Sequence, residues 1–222
     1  MLITLDGPAG AGKSTVAKLL ASHLCLEYLD TGAMYRAIAL LGIRRRIPWD
    51  EPELLTKAAR ESHIDSRHDL TFLNGEDVTE AVRSIEVTQK TKYAANHPAI
   101  REILVGRQRD IAAQIIAKGG GLVTEGRDQG TVVFPNADFK IYLTASPEER
   151  AKRRLGELQA RGESPDFDIL LVQINQRDAA DQARAVGPLC QPPGAIVVHS
   201  DGLNVDGVVF EILNMIRTTA KH

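Results

Sequence analysis

The sequence predicts an α/β domain: a mostly parallel sheet of five strands flanked by helices, with a small β-rich insertion and a helical lid. Three observations predict it. Short β-branched and apolar runs alternate with longer runs of helical period, as strands joined by crossover helices require. Residues 7–14 fit Gly-x-x-x-x-Gly-Lys-Ser, with the strand-like run Leu2–Asp6 before them and a helical run led by Val16, Leu19 and Leu20 after them. Asn74-Gly75, set between Leu73 and Glu76, is a hairpin signal that breaks the alternation once.

The glycine stretch comes first in the chain and carries the most chemistry. Gly7, Gly10 and Gly12 let the backbone turn tightly enough for successive N–H groups to face phosphate oxygens. The helix opening at Lys13 adds unpaired N–H groups and the positive end of its dipole. Lys13 supplies a charge for the β- and γ-phosphates, and Ser14 a hydroxyl for Mg²⁺. A strand–loop–helix of this composition predicts a nucleoside triphosphate site.

Leu26–Leu29 reads as a second strand, after which Asp30 or Thr31 caps a helix carrying Ala37, Ile38, Leu40 and Leu41. Thr31 and Arg36 then lie at the carboxyl end of the sheet, where open α/β sheets bind ligands. Arg36 is there either a solvated helix arginine or a phosphate clamp. Residues 43–62 read as a polar connection and a short helix. Arg44-Arg45-Arg46, followed by Pro48 and Trp49, reads as a solvated helix end rather than a nucleic-acid contact. From His63 to Val82 the alternation predicts the β insertion, either scaffold or a cover for a second substrate.

Residues 84–96 and 98–118 read as helices, the second opened by Pro98. Ile100, Ile103, Leu104, Ile111, Ile115 and Ile116 form its expected apolar stripe, with Arg101, Arg107 and Arg109 on the other faces. Leu122–Thr124 is an expected buried strand, and Glu125-Gly126-Arg127-Asp128-Gln129-Gly130-Thr131 follows it. Two carboxylates and an arginine around two glycines either brace a turn or face a ligand. The strand-end location favours ligand. Phe139–Leu143 is the next strand, and Ser146-Pro147-Glu148-Glu149 is a full helix start. That helix carries Arg150, Arg153, Arg154 and Arg161. It is either a solvated surface or a lid, over about residues 147–165, whose arginines neutralise a phosphoryl group in transit. Phe167–Ala183 reads as helical, with Arg177, Asp181 and Arg184 at i, i+4 and i+7 pointing one way, as an ion-pair ladder or a site. Ala195–Val198 is the last strand, and residues 205–218 the closing helix.

Composition narrows the partners. The 27 basic and 29 acidic residues nearly cancel, so no global field argues for nucleic acid or a membrane surface. Cys25 and Cys190 stand far apart without metal-ligand spacing and read as reduced thiols of a cytosolic protein. No apolar run approaches the ~18 residues of a membrane span, and a strand beginning at Leu2 leaves no room for a targeting leader. A guanine-nucleotide switch would need Asn-Lys-x-Asp and Asp-x-x-Gly, and neither occurs; Asn175-Gln176-Arg177-Asp178 has the spacing without the lysine. Arginines at strand ends and on a lid suit phosphoryl transfer between two anionic substrates, which needs positioning and charge neutralisation more than a nucleophile.

The glycine loop, Leu29–Arg36, Asn74–Val78, Glu125–Pro135 and Arg177-Asp178-x-x-Asp181 together resemble bacterial cytidylate kinase, in register over nearly the whole chain. The block Gly-Arg-Asp-x-Gly-Thr-Val-Val-Phe-Pro is the most specific part. The resemblance implies one P-loop kinase domain over residues 1–222, with a monophosphate-binding insertion at about 63–97. It implies transfer from ATP to CMP or dCMP with Mg²⁺, in a monomeric cytoplasmic enzyme that binds neither nucleic acid nor membrane. By similarity Gly7, Pro8, Ala9, Gly10, Ala11, Gly12, Lys13, Ser14 and Thr15 hold ATP, with Ser14 on the metal and Lys13, Arg150, Arg153 and Arg154 as the catalytic charges. Arg36, Arg127 and Arg184 would grip the CMP phosphate with Thr31 nearby, Arg177 would sit beside the phosphates, and Asp181 would hold ribose hydroxyls. Arg101 and Asp128 would read cytosine, the arginine donating toward N3 and O2 and the carboxylate accepting from the 4-amino group. Uracil would face Asp128 with an acceptor, a mismatch that discriminates strongly. Two departures stand out. Lys92 replaces a serine that contacts cytosine in some relatives, leaving open a lysine contact to O2 or none. Glu125 replaces an aspartate and is implied to orient Mg²⁺ through water. The alternatives are a related kinase with another monophosphate or a small alcohol such as shikimate as acceptor, and a non-catalytic nucleotide sensor. The Arg101–Asp128 pair and the insertion favour a cytosine nucleotide, and the intact Lys13 and lid arginines count against a sensor.

Overall fold

The computed structural model describes residues 1–67 and 69–219. Five strands form one parallel sheet in the order β2-β6-β1-β7-β8, from β2 (Glu27–Asp30), β6 (Leu122–Gly126), β1 (Leu2–Asp6), β7 (Phe139–Thr144) and β8 (Ile196–His199). Three further strands, β3 (Ile64–Arg67), β4 (Leu70–Leu73) and β5 (Glu76–Asp77), form a separate antiparallel sheet. By internal packing the chain divides into two compact units: Met1 with Leu26–Thr124, and Leu2–Cys25 with the chain from Glu125 onward.

The unit that carries the glycine loop is built on β1, β7 and β8. Ile3 to Asp6 pair in parallel register with Phe139 to Tyr142, and Ile141 to Thr144 with Ile196 to His199. Ile3, Leu5, Ile141, Leu143 and Val198 are wholly buried, as expected of parallel strands covered on both faces. Helix α1 (Lys13–Leu24) packs against β1 and against the closing helix α8 (Val205–Thr219), through apolar residues that include Val16, Leu20, Val208 and Ile212. Helices α6 (Pro147–Gln159) and α7 (Phe167–Gln182) pack on each other. The expected start of α6 is present in full: Ser146 Oγ accepts from the Glu149 N–H, Pro147 fills the first turn, and Asp201 accepts from both the N–H and the Oγ of Ser146.

The other unit holds β2, the small sheet and helices α2 (Thr31–Arg44), α3 (Pro52–Glu61), α4 (Ile85–Ala95) and α5 (Pro98–Ala117). Asp30 caps α2 by accepting from the Ala33 N–H at 2.8 Å, so Thr31 is its first helical residue. Asn74, at φ 53°, and Gly75, at φ 85°, make the hairpin turn that the Asn-Gly pair predicts. The basic run is a solvated helix end, with Arg44 paired to Glu76 and Arg45 to Glu61 at the surface. Trp49 stacks on Tyr93 with ring centroids 4.9 Å apart, lies against Gly42, and carries the Lys90 ammonium 5.3 Å from its own ring centre.

Helix α5 departs from the expected stripe. Its buried residues are Ile100, Arg101, Leu104, Gln108 and Ala112, whereas Ile116 is exposed. The expected stripe is buried at Ile100 and Leu104, but Ile103, Ile111 and Ile115 lie off the buried i, i+4 row of Ile100, Leu104, Gln108 and Ala112, and Ile116, the next residue on that row, is exposed. Arg107 explains part of this, because it donates to the carbonyls of Ala59 and Ser62, 2.6 Å from each, and so covers the end of α3 itself.

Candidate active site

The glycine loop is shaped by backbone that only glycine tolerates. Gly7 has φ 151°, and a Cβ there would lie 1.9 Å from the Leu143 carbonyl oxygen. β7 therefore approaches the loop too closely for any side chain. Gly12, at φ 88°, is the N-cap of α1 and turns the chain directly into the helix at Lys13. The Lys13 side chain is buried and folds back, its Nζ donating to the Pro8 carbonyl at 2.7 Å. Burial pushes its ammonium down to about 7; Arg127 pushes the same way and Glu125 opposes. Ser14 Oγ donates to Glu125 Oε1 at 2.8 Å, which places a hydroxyl and a carboxylate side by side at the start of α1.

Beyond β6 the chain forms a π-helical turn, Gln129–Val133, that no local signal in the sequence announced. Asp128 opens it and is buried, and its carbonyl accepts from the N–H groups of Val132 and Val133. Just before it, Arg127 reaches Asp181 of α7, Nε to Oδ2 at 2.8 Å, and Arg184 pairs with the other oxygen of the same carboxylate. Burial pushes the Asp181 carboxyl up, yet the two guanidinium groups outweigh it and hold the acid below its ordinary range. α7 ends at Gln182, so Arg184 lies just past the helix rather than on its i+7 row; it reaches Asp181 from the chain after the helix end. Arg177 is exposed on α7, and its charge adds to the lowering of both Lys13 and Asp181.

The three arginines of α6 separate into three environments. Arg150 is buried and fully engaged: Nε donates to Ala145 O at 3.0 Å, Nη1 to Ala9 O at 3.1 Å, and Nη2 meets Asp178 Oδ2 at 2.6 Å. Its stem lies under the glycine loop, 3.4 Å from where a Cβ on Gly10 would stand. Arg153 bonds Glu149 and both the Oγ and the carbonyl of Ser200, with Nη1 on the Gly12 side of the loop. Arg154 makes a surface pair with Glu157. The charged helix is thus not a uniformly solvated surface, because Arg150 points inward beneath the loop while Arg154 stays at the surface.

In the other unit Thr31 is buried at the start of α2. Arg36 pairs with Asp30 at 2.9 Å, and its Nε is buried with no hydrogen-bond partner among the described residues, a donor suited to an acceptor from outside the chain. Arg101, also buried, donates to the Ala95 carbonyl and lies over the Tyr35 ring at 5.3 Å. Lys92 is exposed, with its ammonium 5.2 Å from the Tyr93 ring centre.

Sequence reasoning gave no role to Asp6, Asp178 or Ser200. Asp6 stands directly before the glycine motif, and Asp178 lies within the Arg177–Asp181 motif without a part of its own. Burial beside an arginine or a pair of N–H groups is a property of the fold and left no mark on spacing.

The family profile described as "Cytidylate kinase" matches residues 3–218. A protein named cytidylate kinase from Rhodopirellula baltica is 46% identical over 217 residues, covering 98% of this chain and 93% of its own. One of the same name from Caldanaerobacter subterraneus is 45% identical over 219 residues, covering 99% and 96%. Among solved structures, a shikimate kinase from Bacteroides thetaiotaomicron superposes with a TM-score of 0.50 at 14% identity, covering 98% of each chain, which is a likeness of fold. With a family profile matched over residues 3–218 and identity near one residue in two over almost the full length, the chain belongs to the cytidylate kinase family.

Proposed function

We propose that this enzyme transfers the γ-phosphoryl group of ATP to CMP or dCMP, giving ADP and CDP or dCDP, as a monomer in the cytoplasm. The observation that carries the proposal is the charge layout around the glycine loop: a buried Lys13, the Ser14–Glu125 pair, and Arg127 and Arg184 closed on Asp181. In this reading residues 7–15 hold ATP. Arg36, Arg127 and Arg184 hold the acceptor phosphate, with Thr31 and Arg177 beside it. The unpartnered Nε of Arg36 supports its part. Arg101 and Asp128 read cytosine, and Asp181 orders the arginines and the ribose. The insertion at about 63–97 serves as the monophosphate-binding region and about 147–165 as the lid.

Ser14 and Glu125 offer only hard oxygen donors, a fit for Mg²⁺, and they would hold it at the head of α1. When bound, the ion neutralises phosphate charge. The acceptor phosphate is already an anion near neutral pH and needs no strong general base. The chain's work is to align the two phosphates, supply Lys13 and Arg153 to the charge that spreads during transfer, and exclude water so that ATP is not hydrolysed. Arg150 contributes from beneath, by holding the Ala9 carbonyl so that the loop keeps its inward-facing N–H groups.

A coupled ADP-release assay offering CMP, dCMP, UMP, AMP and GMP tests the proposal. Strong turnover with the two cytosine nucleotides alone supports it; turnover with another monophosphate moves the base contacts to a different ring; none points to a different acceptor or a sensor. Asp128→Ala should then loosen the CMP-over-UMP preference at kcat/KM by at least about tenfold, since a buried partner of the 4-amino group is lost. An unchanged preference would assign base reading to another residue.

A pH dependence follows from Lys13. In the free enzyme its ammonium loses its proton as the pH rises past about 7, whereas bound phosphates hold the proton on. The expected result is that kcat/KM for ATP, which reports the free enzyme, declines above about pH 7 while kcat stays level to higher pH. Parallel declines of both would show that the lysine is not recharged by ATP.

A further inference from the structure

Asp6 is the last residue of β1 and the one immediately before the glycine loop. It is wholly buried, and the chain uses it in one way that can be seen directly. Its Oδ1 accepts from the Gln129 N–H at 2.8 Å and its Oδ2 from the Gly130 N–H at 2.7 Å. These two residues begin the π-helical turn and directly follow Asp128, itself buried. The turn is also wedged: a Cβ on Gly130 would lie 2.9 Å from both Pro192 Cγ and Thr4 Oγ1. The carboxylate of one strand end thus fixes the height and direction of the first peptides of a turn that belongs to another.

Only a carboxylate does this at that position. Two neighbouring N–H groups need two acceptor oxygens, and Asp supplies both from a rigid, short side chain. Asparagine has the same shape but one oxygen, so its NH₂ group would meet one of the two N–H donors head on. Because Asp6 and Gln129 are buried, an N–H left facing that NH₂ group costs the full desolvation penalty unless its peptide turns away. Burial and the neighbouring Asp128 charge push the Asp6 carboxyl up to about 6, with the two N–H groups and Lys13 opposing, so the residue is held there at a cost.

We infer that Asp6 is a positioning residue for base selection: by clamping the Gln129 and Gly130 N–H groups it sets where the Asp128 carboxylate stands. The inference rests on the reading above that Asp128 recognises cytosine. Asp6 touches no substrate; its effect passes through the turn. Because a displacement near 1 Å of a recognising group costs up to about 10²-fold, a shifted turn should show first as lost discrimination between bases.

The test compares Asp6→Asn and Asp128→Ala in the full chain, measuring kcat/KM with CMP and with UMP on the same preparation, together with thermal stability. The ratio of the two acceptors does not depend on how much protein is folded, so a merely structural loss leaves it untouched. The expected result is a CMP-over-UMP ratio lowered at least about tenfold in both variants. A lowered ratio in Asp128→Ala with the wild-type ratio in Asp6→Asn would overturn the inference and leave Asp6 a structural group. A wild-type ratio in Asp128→Ala would overturn the reading on which it rests, and the inference with it. Should Asp6→Asn not fold, Gly130→Ala pushes the same N–H off Oδ2 from the other side, through Pro192 and Thr4, and must lower the ratio likewise. If its ratio is unchanged, the inference falls.

Discussion

Lys13→Ala is expected to lower turnover by about 10²–10³-fold, the cost of losing one preorganised charge at the centre of a phosphoryl transfer. The same change is expected not to destabilise the protein. The Lys13 ammonium is buried and its pKa is pushed down to about 7, so folding disfavours its charged form even though its Nζ donates to the Pro8 carbonyl and the Glu125 and Asp6 carboxylates favour the charge. The sign follows by linkage. A lysine whose folded pKa lies below its unfolded value weakens the fold fully below about pH 7, and the penalty fades as pH rises toward the ordinary lysine value of 10.5. Lys13→Met, which keeps the stem, should therefore raise the melting temperature most at or below neutral pH and not at all in strong alkali. Near-normal turnover in either variant would remove Lys13 from the mechanism. A lower melting temperature at pH 6 for Lys13→Met would show that its charge is paired in the folded protein.

Arg150→Ala is expected to have the largest effect on stability. It leaves the Asp178 carboxylate half-buried without its partner, and the Ala9 and Ala145 carbonyls without a donor. Breaking a buried pair from one side costs about 3–5 kcal/mol, which for a chain of this size lowers the melting temperature by roughly 10 °C. It also opens the floor of a cavity of about 400 Å³ beside Pro8 that Arg150, Tyr142 and Asp178 line. Adding Asp178→Ala should recover part of the loss, because the stranded carboxylate goes too. Arg154→Ala, which removes a surface pair, should cost at most about 1 kcal/mol. Equal effects of Arg150→Ala and Arg154→Ala in thermal melts would refute the distinction drawn between them.

The contrast among these arginines shows where sequence reading reached and where it stopped. Strand–loop–helix at the start, the Asp30 cap, the Asn74-Gly75 turn and the Ser146–Glu149 helix start are local chemistry, written within four residues, and each appears in the fold at that place. The family-specific block at Glu125–Pro135 was legible as a motif, but its π-helical form was not, because that form depends on Asp6, more than a hundred residues earlier. Arg150 and Arg154 are indistinguishable as letters on a charged helix. What separates them is the Ala9 carbonyl and Asp178, which only the packing of α6 against α7 and the glycine loop brings near. The Arg177–Asp181–Arg184 spacing anticipated the pairing of Asp181 with Arg184 but not its geometry, since the helix ends before Arg184 and Arg177 is exposed.

Trp49 is the only tryptophan of the chain, and it lies in one unit alone, stacked on Tyr93 and against Gly42. Its emission is therefore an optical gauge confined to that unit, blind to the sheet strands β7 and β8. Followed beside a far-ultraviolet signal in the same denaturant series, it asks whether the molecule melts as one body. Coincident curves would mean that the loss of either unit carries the other with it, and a tryptophan transition that comes first would give each unit a stability of its own.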